Sequence, residues 1–389
     1  AWIIGWDLML EMALAAAVVA VGWSGYFGSL LATAGIALPP TLAGEGAVVN
    51  VPAVLIVLIM TAVLVAGIRL SSHVNAIIVA VKVAVILLVI FAGLFFINRD
   101  NYTPFIPPAR STPAVEGLGA PLIQVLFGVT PVTFGVFGVF SAAAIVFFAY
   151  IGFDIVATAA EETRDPKRDL PIGIIASLTI CTVLYVAVSL VVVGMRPYRS
   201  LSEAAPLADA FRAVGQPWVA TLVGIGAIAG LTTVVMLLML GQSRVLFAMS
   251  RDNLLPYRLA AVHPRYRTPY RVTIIIGVVT AVLAGFIPLS ALAELVNIGT
   301  LFAFIVVSIA VIVLRRTRPD LRRAFRVPLV PYVPMLSVLT CLYLMLNLPV
   351  ETWLRFVAWM AIGIVVYFAY GARRSRLSYP KPTERPVST

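Results

Sequence analysis

Residues 141–171 read SAAAIVFFAYIGFDIVATAAEETRDPKRDLP. The stretch begins as apolar as a membrane-spanning helix, yet Gly152 is followed two residues later by Asp154. Gly152 lies about 18 residues into the apolar run that starts at Phe134, near the middle of a hydrocarbon core about 30 Å thick. Glycine favours local unwinding, and an aspartate can cap the helix that restarts after it. The stretch therefore predicts a membrane helix that breaks at mid-depth.

Such a break has two interpretations. Unwinding frees backbone carbonyls and amides, which are tolerated at membrane depth only where they line a cavity or bind a ligand. Many secondary carriers hold their substrate at broken helices of this kind. The alternative is a packed glycine and a capped kink without a ligand. The aromatic residues around the break are then either ordinary packing or the gates of a pocket: Phe147, Phe148, Tyr150 and Phe153.

The rest of the chain has the composition of a membrane protein. Of 389 residues, 61% are hydrophobic and only 12% are charged, about half the charge of a soluble domain. In lipid only helices and closed barrels satisfy their backbone, and these apolar runs are continuous rather than alternating. The sequence thus predicts an all-α polytopic membrane domain at residues 1–371 and a cytoplasmic basic tail at 372–389. The ten predicted spans are 2–27, 50–68, 73–97, 134–160, 172–195, 219–248, 272–288, 291–314, 329–349 and 353–371.

The net charge of +11 is explained by topology rather than by a nucleic-acid partner. If the N-terminus is cytoplasmic, 20 of the 28 Lys and Arg residues fall in predicted inner segments and six in outer ones. This is the positive-inside pattern of a cell-membrane protein with both chain ends in the cytoplasm. The two cysteines and two histidines offer no metal centre or nucleophile–base pair, so we expect neither a cofactor nor an enzyme.

Several polar residues lie within the predicted spans. Lys82 is ten residues, or about 15 Å of helix, from Ser72, and burial away from water favours the neutral form of a lysine. A lysine that changes its protonation state can couple transport to a proton gradient; the alternative is a structural lysine that is permanently bonded to carbonyls. Asp7 and Glu11 share one helix face and either pair with a group on another helix, such as Arg244, or line an inner vestibule.

Two further patterns have a structural and a functional interpretation. Gly226 and Gly230 have the GxxxG spacing that indicates close helix packing. The charges Glu161, Glu162 and Arg164 at an inner membrane edge predict either a solvated turn or an inner gate that exchanges ion pairs.

The segment FFAYIGFDIVATAAEETRDPKRDLPIGI (147–174) resembles the sixth-helix signature of the cationic amino acid transporter family, within the amino acid–polyamine–organocation superfamily. Residues 1–27, 73–88, 226–256 and 292–328 resemble its third, fifth, eighth and tenth helices. The resemblance implies a LeuT-like fold of twelve helices, the first ten forming two inverted repeats. On this mapping we expect the chain to hold helices three to twelve of a bacterial permease and to lack the first two.

The resemblance also implies a site. The carbonyls of Phe148, Ala149 and Ile151 would accept hydrogen bonds from a substrate α-ammonium. A lysine in the fifth helix would take the place of sodium in sodium-coupled relatives. Together with the residue patterns above, this gives the candidate residues: for substrate binding, Phe148, Ala149, Tyr150, Ile151, Gly152, Phe153, Thr233 and Met236, the last of which is otherwise core filler; for proton coupling, Lys82 and Thr232; as the helix-break cap, Asp154; and as a candidate inner gate, Glu161, Glu162 and Arg164.

The expected function is therefore a secondary active amino-acid transporter, proton-coupled and working by alternating access, with small neutral or broad specificity. Its expected partners are an amino acid, protons and the lipid bilayer. The alternative is a truncated membrane protein that only binds or scaffolds without transporting.

Overall fold

The computed structural model describes residues 2–39, 41–43, 47–67, 72–111, 117–129, 132–152, 156, 163, 165–201, 204–320 and 325–374. Regular structure in these ranges is helical apart from one antiparallel pair of two-residue strands, β1 (Arg110–Ser111) and β2 (Val132–Thr133). The α-helices are α1 (Trp2–Thr33), α2 (Val51–Val65), α3 (Ser72–Leu94), α4 (Leu122–Phe127), α5 (Gly135–Val146), α6 (Pro166–Met195), α7 (Pro206–Ala213), α8 (Pro217–Arg251), α9 (Tyr270–Phe286), α10 (Leu289–Thr317), α11 (Tyr332–Leu346), α12 (Val350–Val366) and α13 (Ala372–Arg374). Single 3-10 turns lie at Arg99–Tyr102, Gly117–Gly119, Phe147–Tyr150, Tyr198–Ser200 and Tyr257–Ala260, and a π-helical turn lies at Tyr367–Gly371.

The helices coincide with the predicted spans. In the described part of the chain, six helices are long and apolar enough to cross a bilayer: α1, α3, α6, α8, α10 and α12 with its extension to Arg374. Four shorter apolar helices, α2, α5, α9 and α11, lie where the other four spans are predicted. The prediction of a helical, multi-pass membrane protein is confirmed, and a full count of ten spans stays a prediction.

The centre of the fold is α1, which packs against α8, α10, α9, α2 and α12. Its alanine-rich segment 13–20 is buried in an apolar core shared with α2, α8, α9 and α10. Alanine has no side chain beyond Cβ, so neighbouring helices approach this segment closely, as small residues allow in membrane bundles.

Indole side chains join the first turns of α1 to α12. Trp2 Nε1 donates to the Gly363 carbonyl at 2.9 Å, and Trp6 Nε1 donates to the Trp359 carbonyl at 3.0 Å. The rings of Trp6 and Trp359 stack with centroids 4.6 Å apart. These contacts fix the start of α1 against α12 and close that end of the bundle with aromatic rings.

The GxxxG pair of α8 forms the contact with α3. A Cβ built on Gly226 would lie 2.6 Å from Val85 Cγ2, and one built on Gly230 would lie 3.5 Å from Lys82 Cε. The close helix packing predicted from the glycine spacing is therefore present, and it places Lys82 directly over Gly230.

Several helix ends differ from the predicted bounds; α6, for example, begins at Pro166 rather than at residue 172. The first span was expected to end at residue 27, but α1 continues to Thr33. A helix longer than the hydrocarbon core can tilt or extend beyond it, so the end of the apolar run does not have to end the helix. The predicted basic tail begins as helix, since Ala372–Arg374 forms α13, and its residues 375–389 lie outside the described part of the chain.

Candidate functional site

The backbone leaves α-helical geometry where the sequence predicts a break. The helix α5 ends at Val146, and Phe147–Tyr150 forms a single 3-10 turn. Ile151 is extended, with φ −67° and ψ 135°, and Gly152 has a φ of +126°. A φ in this region favours glycine, because a Cβ would clash with the backbone. The break therefore depends on a glycine at position 152.

An asparagine from another helix supports the end of α5. Asn297 of α10 is fully buried, and its Nδ2 donates to the carbonyls of Ala144 at 2.9 Å and Ile145 at 3.3 Å. Carbonyls at a helix end have no partner within the helix, and at membrane depth they need one from elsewhere. Sequence reasoning missed Asn297, although a lone amide inside an apolar run is the signal that could have found it.

The three carbonyls predicted to bind a substrate ammonium group differ in their hydrogen-bond donors in the structure. The Phe148 carbonyl accepts from the Ile151 amide at 3.1 Å, and the Ala149 carbonyl accepts from the Tyr185 hydroxyl at 2.8 Å. The Ile151 carbonyl has no donor within the described ranges. Since each carbonyl oxygen has two lone pairs, all three retain the capacity to accept a further hydrogen bond.

Tyr185 of α6 was not predicted as a site residue. Besides its bond to Ala149, its ring meets the Tyr150 ring edge-on, with centroids 5.4 Å apart. Tyr150 is half-buried and Ala149 is exposed. One side chain of α6 thus holds two consecutive residues of the break.

The break lies beside the central apolar core of the fold. Phe148 and Ile151 pack against the apolar core cluster that contains Met236. Thr233, one turn before Met236, is also buried, and its hydroxyl donates to the Gly230 carbonyl at 2.8 Å. The break is therefore bounded on one side by this apolar core.

Lys82 of α3 lies over Gly230, which is one turn before Thr233 on α8. Its side chain is half-exposed, and the described residues include no hydrogen-bond or ion-pair partner for its nitrogen. Thr232, the expected neighbour, accepts from Trp23 Nε1 at 2.9 Å and donates to the Ile228 carbonyl at 2.7 Å. The structure thus places Lys82 and Thr232 at the same stretch of α8 without a direct bond between them.

The remaining predicted site residues cannot be placed. Phe153, Asp154, Glu161, Glu162 and Arg164 lie outside the described residues. The predicted cap of the restarting helix and the predicted inner gate therefore stay predictions.

The arrangement is suited to binding rather than to covalent chemistry. It offers carbonyl oxygens at a helix break, beside an apolar core. Among the described residues no three His, Cys, Asp or Glu side chains come together as a metal site. Carbonyl oxygens in a low-dielectric setting are strong acceptors for a cationic donor such as an ammonium group.

The chain is similar in sequence to known transport proteins. A family model described as amino acid permease matches residues 1–369. A methylthioribose transporter of Bacillus subtilis is 47% identical over 383 residues, which cover 97% of this chain and 77% of the relative. The branched-chain amino acid permease BcaP of the same species is 47% identical over 386 residues, with the same coverage of 97% and 77%. A vacuolar cationic amino acid transporter 2 of Arabidopsis thaliana is 39% identical over 325 residues, or 82% of this chain and 48% of the relative.

Proposed function

This chain belongs to the amino acid permease family, and from that membership we propose that it is a secondary active amino-acid transporter of the cell membrane, with its substrate bound at the break after α5. Its similar relatives are transport proteins rather than enzymes. The observation that carries the proposal is the loss of helical geometry at 147–152, since exposed peptide groups at membrane depth call for a ligand or a cavity.

The substrate ammonium binds to the carbonyls of the break. It has three N–H donors, and the carbonyls of Phe148, Ala149 and Ile151 supply three acceptors within four residues of the break. The Tyr185 hydroxyl, 2.8 Å from the Ala149 oxygen, orients that carbonyl before the substrate arrives. Such preorganisation reduces the ordering cost of binding.

The substrate side chain points toward α8. Phe148 and Ile151 pack against the apolar cluster to which Met236 belongs. An apolar wall favours a neutral aliphatic side chain over a cationic one, because a cation would lose its hydration without gaining a partner. The two relatives named branched-chain amino acid permeases, from Bacillus subtilis and Lactococcus lactis, are consistent with this preference.

Lys82 couples transport to protons. Among the described residues no acceptor bonds to the Lys82 nitrogen. The free energy of keeping the ammonium group charged away from water is therefore not offset by a fixed ion pair. The position of Lys82 over Gly230, with Thr232 and Thr233 following on α8, lets a change in its protonation reach the helix that borders the substrate. Alternating access then exposes the break to the two sides in turn, with both chain ends in the cytoplasm.

Uptake by proteoliposomes tests this function. We expect labelled Leu, Ile and Val to be taken up faster than Lys or Arg, and we expect an acidic exterior to increase the rate. Empty liposomes and a protonophore are the controls, and methylthioribose is included in the panel. Uptake of methylthioribose with no amino acid transported would contradict the proposal.

The role of Lys82 is tested in the same assay. Lys82→Met has a similar length without the charge, and we expect its uptake to lose the response to the pH gradient. Lys82→Arg separates protonation from charge, since an arginine stays charged. If uptake by Lys82→Met still follows the gradient, Lys82 is not the coupling residue.

A further inference from the structure

Asp7 is a buried carboxyl without a hydrogen-bond donor. Its relative exposure is 0%, and neither of its oxygens has a hydrogen-bond partner in the described part of the chain. It faces α10, where a Cβ built on Gly299 would lie 3.2 Å from Asp7 Oδ1. The backbone of α10 therefore approaches the carboxyl directly, and the space beside it holds no side chain from that position.

An ionised carboxylate is costly in this environment. Removal of a carboxylate from water without a partner is strongly unfavourable, and the group avoids this by taking up a proton. The sequence predicted an inter-helix pair or a vestibule lining for Asp7; the structure shows a buried side chain with no described partner. The neutral acid is the form that this site accommodates.

Glu11 adds to the same preference. It lies one turn later on the same face of α1, is 2% exposed, and its Oε1 accepts from the Thr300 hydroxyl at 2.7 Å. Two carboxyls on one buried face disfavour a second negative charge. The pair is thus arranged to hold at least one proton.

The helices packed against α1 supply no donor to Asp7. Gln242 of α8 donates instead to the Met9 carbonyl at 2.9 Å. Glu294 accepts from Thr352, and Arg355 pairs with Glu351 on α12. The titratable and charged residues on α8, α9, α10 and α12 are Arg244, Arg251, Tyr270, Arg271, Glu294, Arg315, Arg316, Glu351 and Arg355, and α2 has none.

Aromatic rings pack at the near end of α1, between its first residues and α12. Trp2 stacks on Trp6 at 5.5 Å, and Trp6 stacks on Trp359 at 4.6 Å. Met249 lies against Gly5 on the α8 side, with its sulfur 2.9 Å from a Cβ built there. Because Asp7 is fully buried, it exchanges a proton with water only when contacts around it separate, and the contacts between α1 and α12 are those at the near end of α1.

We propose that Asp7 is a proton-binding site, distinct from Lys82, that holds its proton while the Trp2–Trp6–Trp359 cluster is closed and exchanges it with the cytoplasm when the cluster opens. The protonation of Asp7 is inferred from its burial and from its lack of a hydrogen-bond donor in the described part of the chain. Its exchange during transport rests on the proposed function.

Infrared spectroscopy tests the protonated state without any transport. The purified protein in detergent at neutral pH is expected to show the C=O stretching band of a neutral carboxylic acid, and Asp7→Asn is expected to lose intensity in that band. Asp252→Asn, at a half-exposed carboxyl, is the matched control and is expected to leave the band unchanged, as is Lys82→Met. An Asp7→Asn spectrum identical to wild type would overturn the assignment. Loss of the band on addition of sodium would also overturn it, because the site would then hold a metal cation.

Uptake measured at several internal pH values tests the exchange. The Asp7→Asn variant is expected to lose a dependence on internal pH that the wild type and Asp252→Asn show. An unchanged internal-pH profile in Asp7→Asn would overturn the proposed exchange. If no variant transports any amino acid, the proposed function fails, while the infrared result still decides whether Asp7 carries a proton.

Discussion

Three glycines of α8 are expected to respond differently to the same substitution. A Cβ at Gly226 would lie 2.6 Å and 2.8 Å from the two methyl carbons of Val85, whereas ordinary carbon contacts are about 3.5–4.0 Å. The helices α3 and α8 must therefore separate by about 1 Å, and overpacking of this kind costs about 1–3 kcal/mol. At Gly224 the described residues leave open space around the Cβ, so Gly224→Ala gains about 0.5–1 kcal/mol of helix propensity.

Gly230 gives the intermediate case. Its Cβ would lie 3.5 Å from Lys82 Cε, an ordinary contact, so Gly230→Ala is expected to be close to neutral. The measurement is the temperature at which half of the detergent-solubilised protein loses its monodisperse chromatographic peak. We expect the order Gly224→Ala, Gly230→Ala, Gly226→Ala from most to least stable.

A second substitution checks the cause. Val85→Ala removes the two methyl groups that the new Cβ would meet, so it is expected to recover most of the stability lost in Gly226→Ala. If Gly226→Ala is as stable as Gly224→Ala, or if Val85→Ala brings no recovery, the packing of α3 on α8 is not as the structure has it.

Two further predictions concern the break itself. Gly152→Ala places a Cβ at a φ of +126°, which is expected to cost about 1–3 kcal/mol and to lower uptake. Gly173→Ala, in open space within α6, is the control, and an equal loss in both variants would contradict the strained-backbone argument. Asn297→Ala removes the side-chain donor to the Ala144 and Ile145 carbonyls at the end of α5, which is expected to cost about 1–3 kcal/mol in a thermal unfolding assay. Thr221→Ala removes only a bond within its own helix, and an Asn297→Ala variant as stable as this control would show that the cap is dispensable.

The helices were predictable because their signal is local. A continuous apolar run of about twenty residues has few alternatives in a bilayer, and each predicted run contains a helix. The break was predictable for the same reason, since Gly152 carries its conformational freedom wherever it lies. The bounds of α1 were harder to predict, because a helix can continue past the hydrocarbon into water without any apolar signal.

The partners of the break were not predictable from one sequence. Asn297 and Ala144 are 153 residues apart, and Tyr185 and Ala149 are 36 apart. Periodicity places a residue on a helix face but does not say which helix that face meets. The same limit applies to Asp7, whose expected cationic partner depended on a pairing of helices that only the fold reveals.

The central claim is that a substrate ammonium group binds to the backbone carbonyls around Ala149. The direct test is thiol labelling of Ala149→Cys by a membrane-impermeant maleimide, in protein whose Cys181 and Cys341 are replaced by alanine. Ala142→Cys, also exposed but seven residues earlier on α5, is the matched control. A transported amino acid is expected to slow the labelling of Ala149→Cys and to leave the labelling rate of Ala142→Cys unchanged. Labelling of both variants at the same rate, with or without a saturating substrate, would contradict this claim.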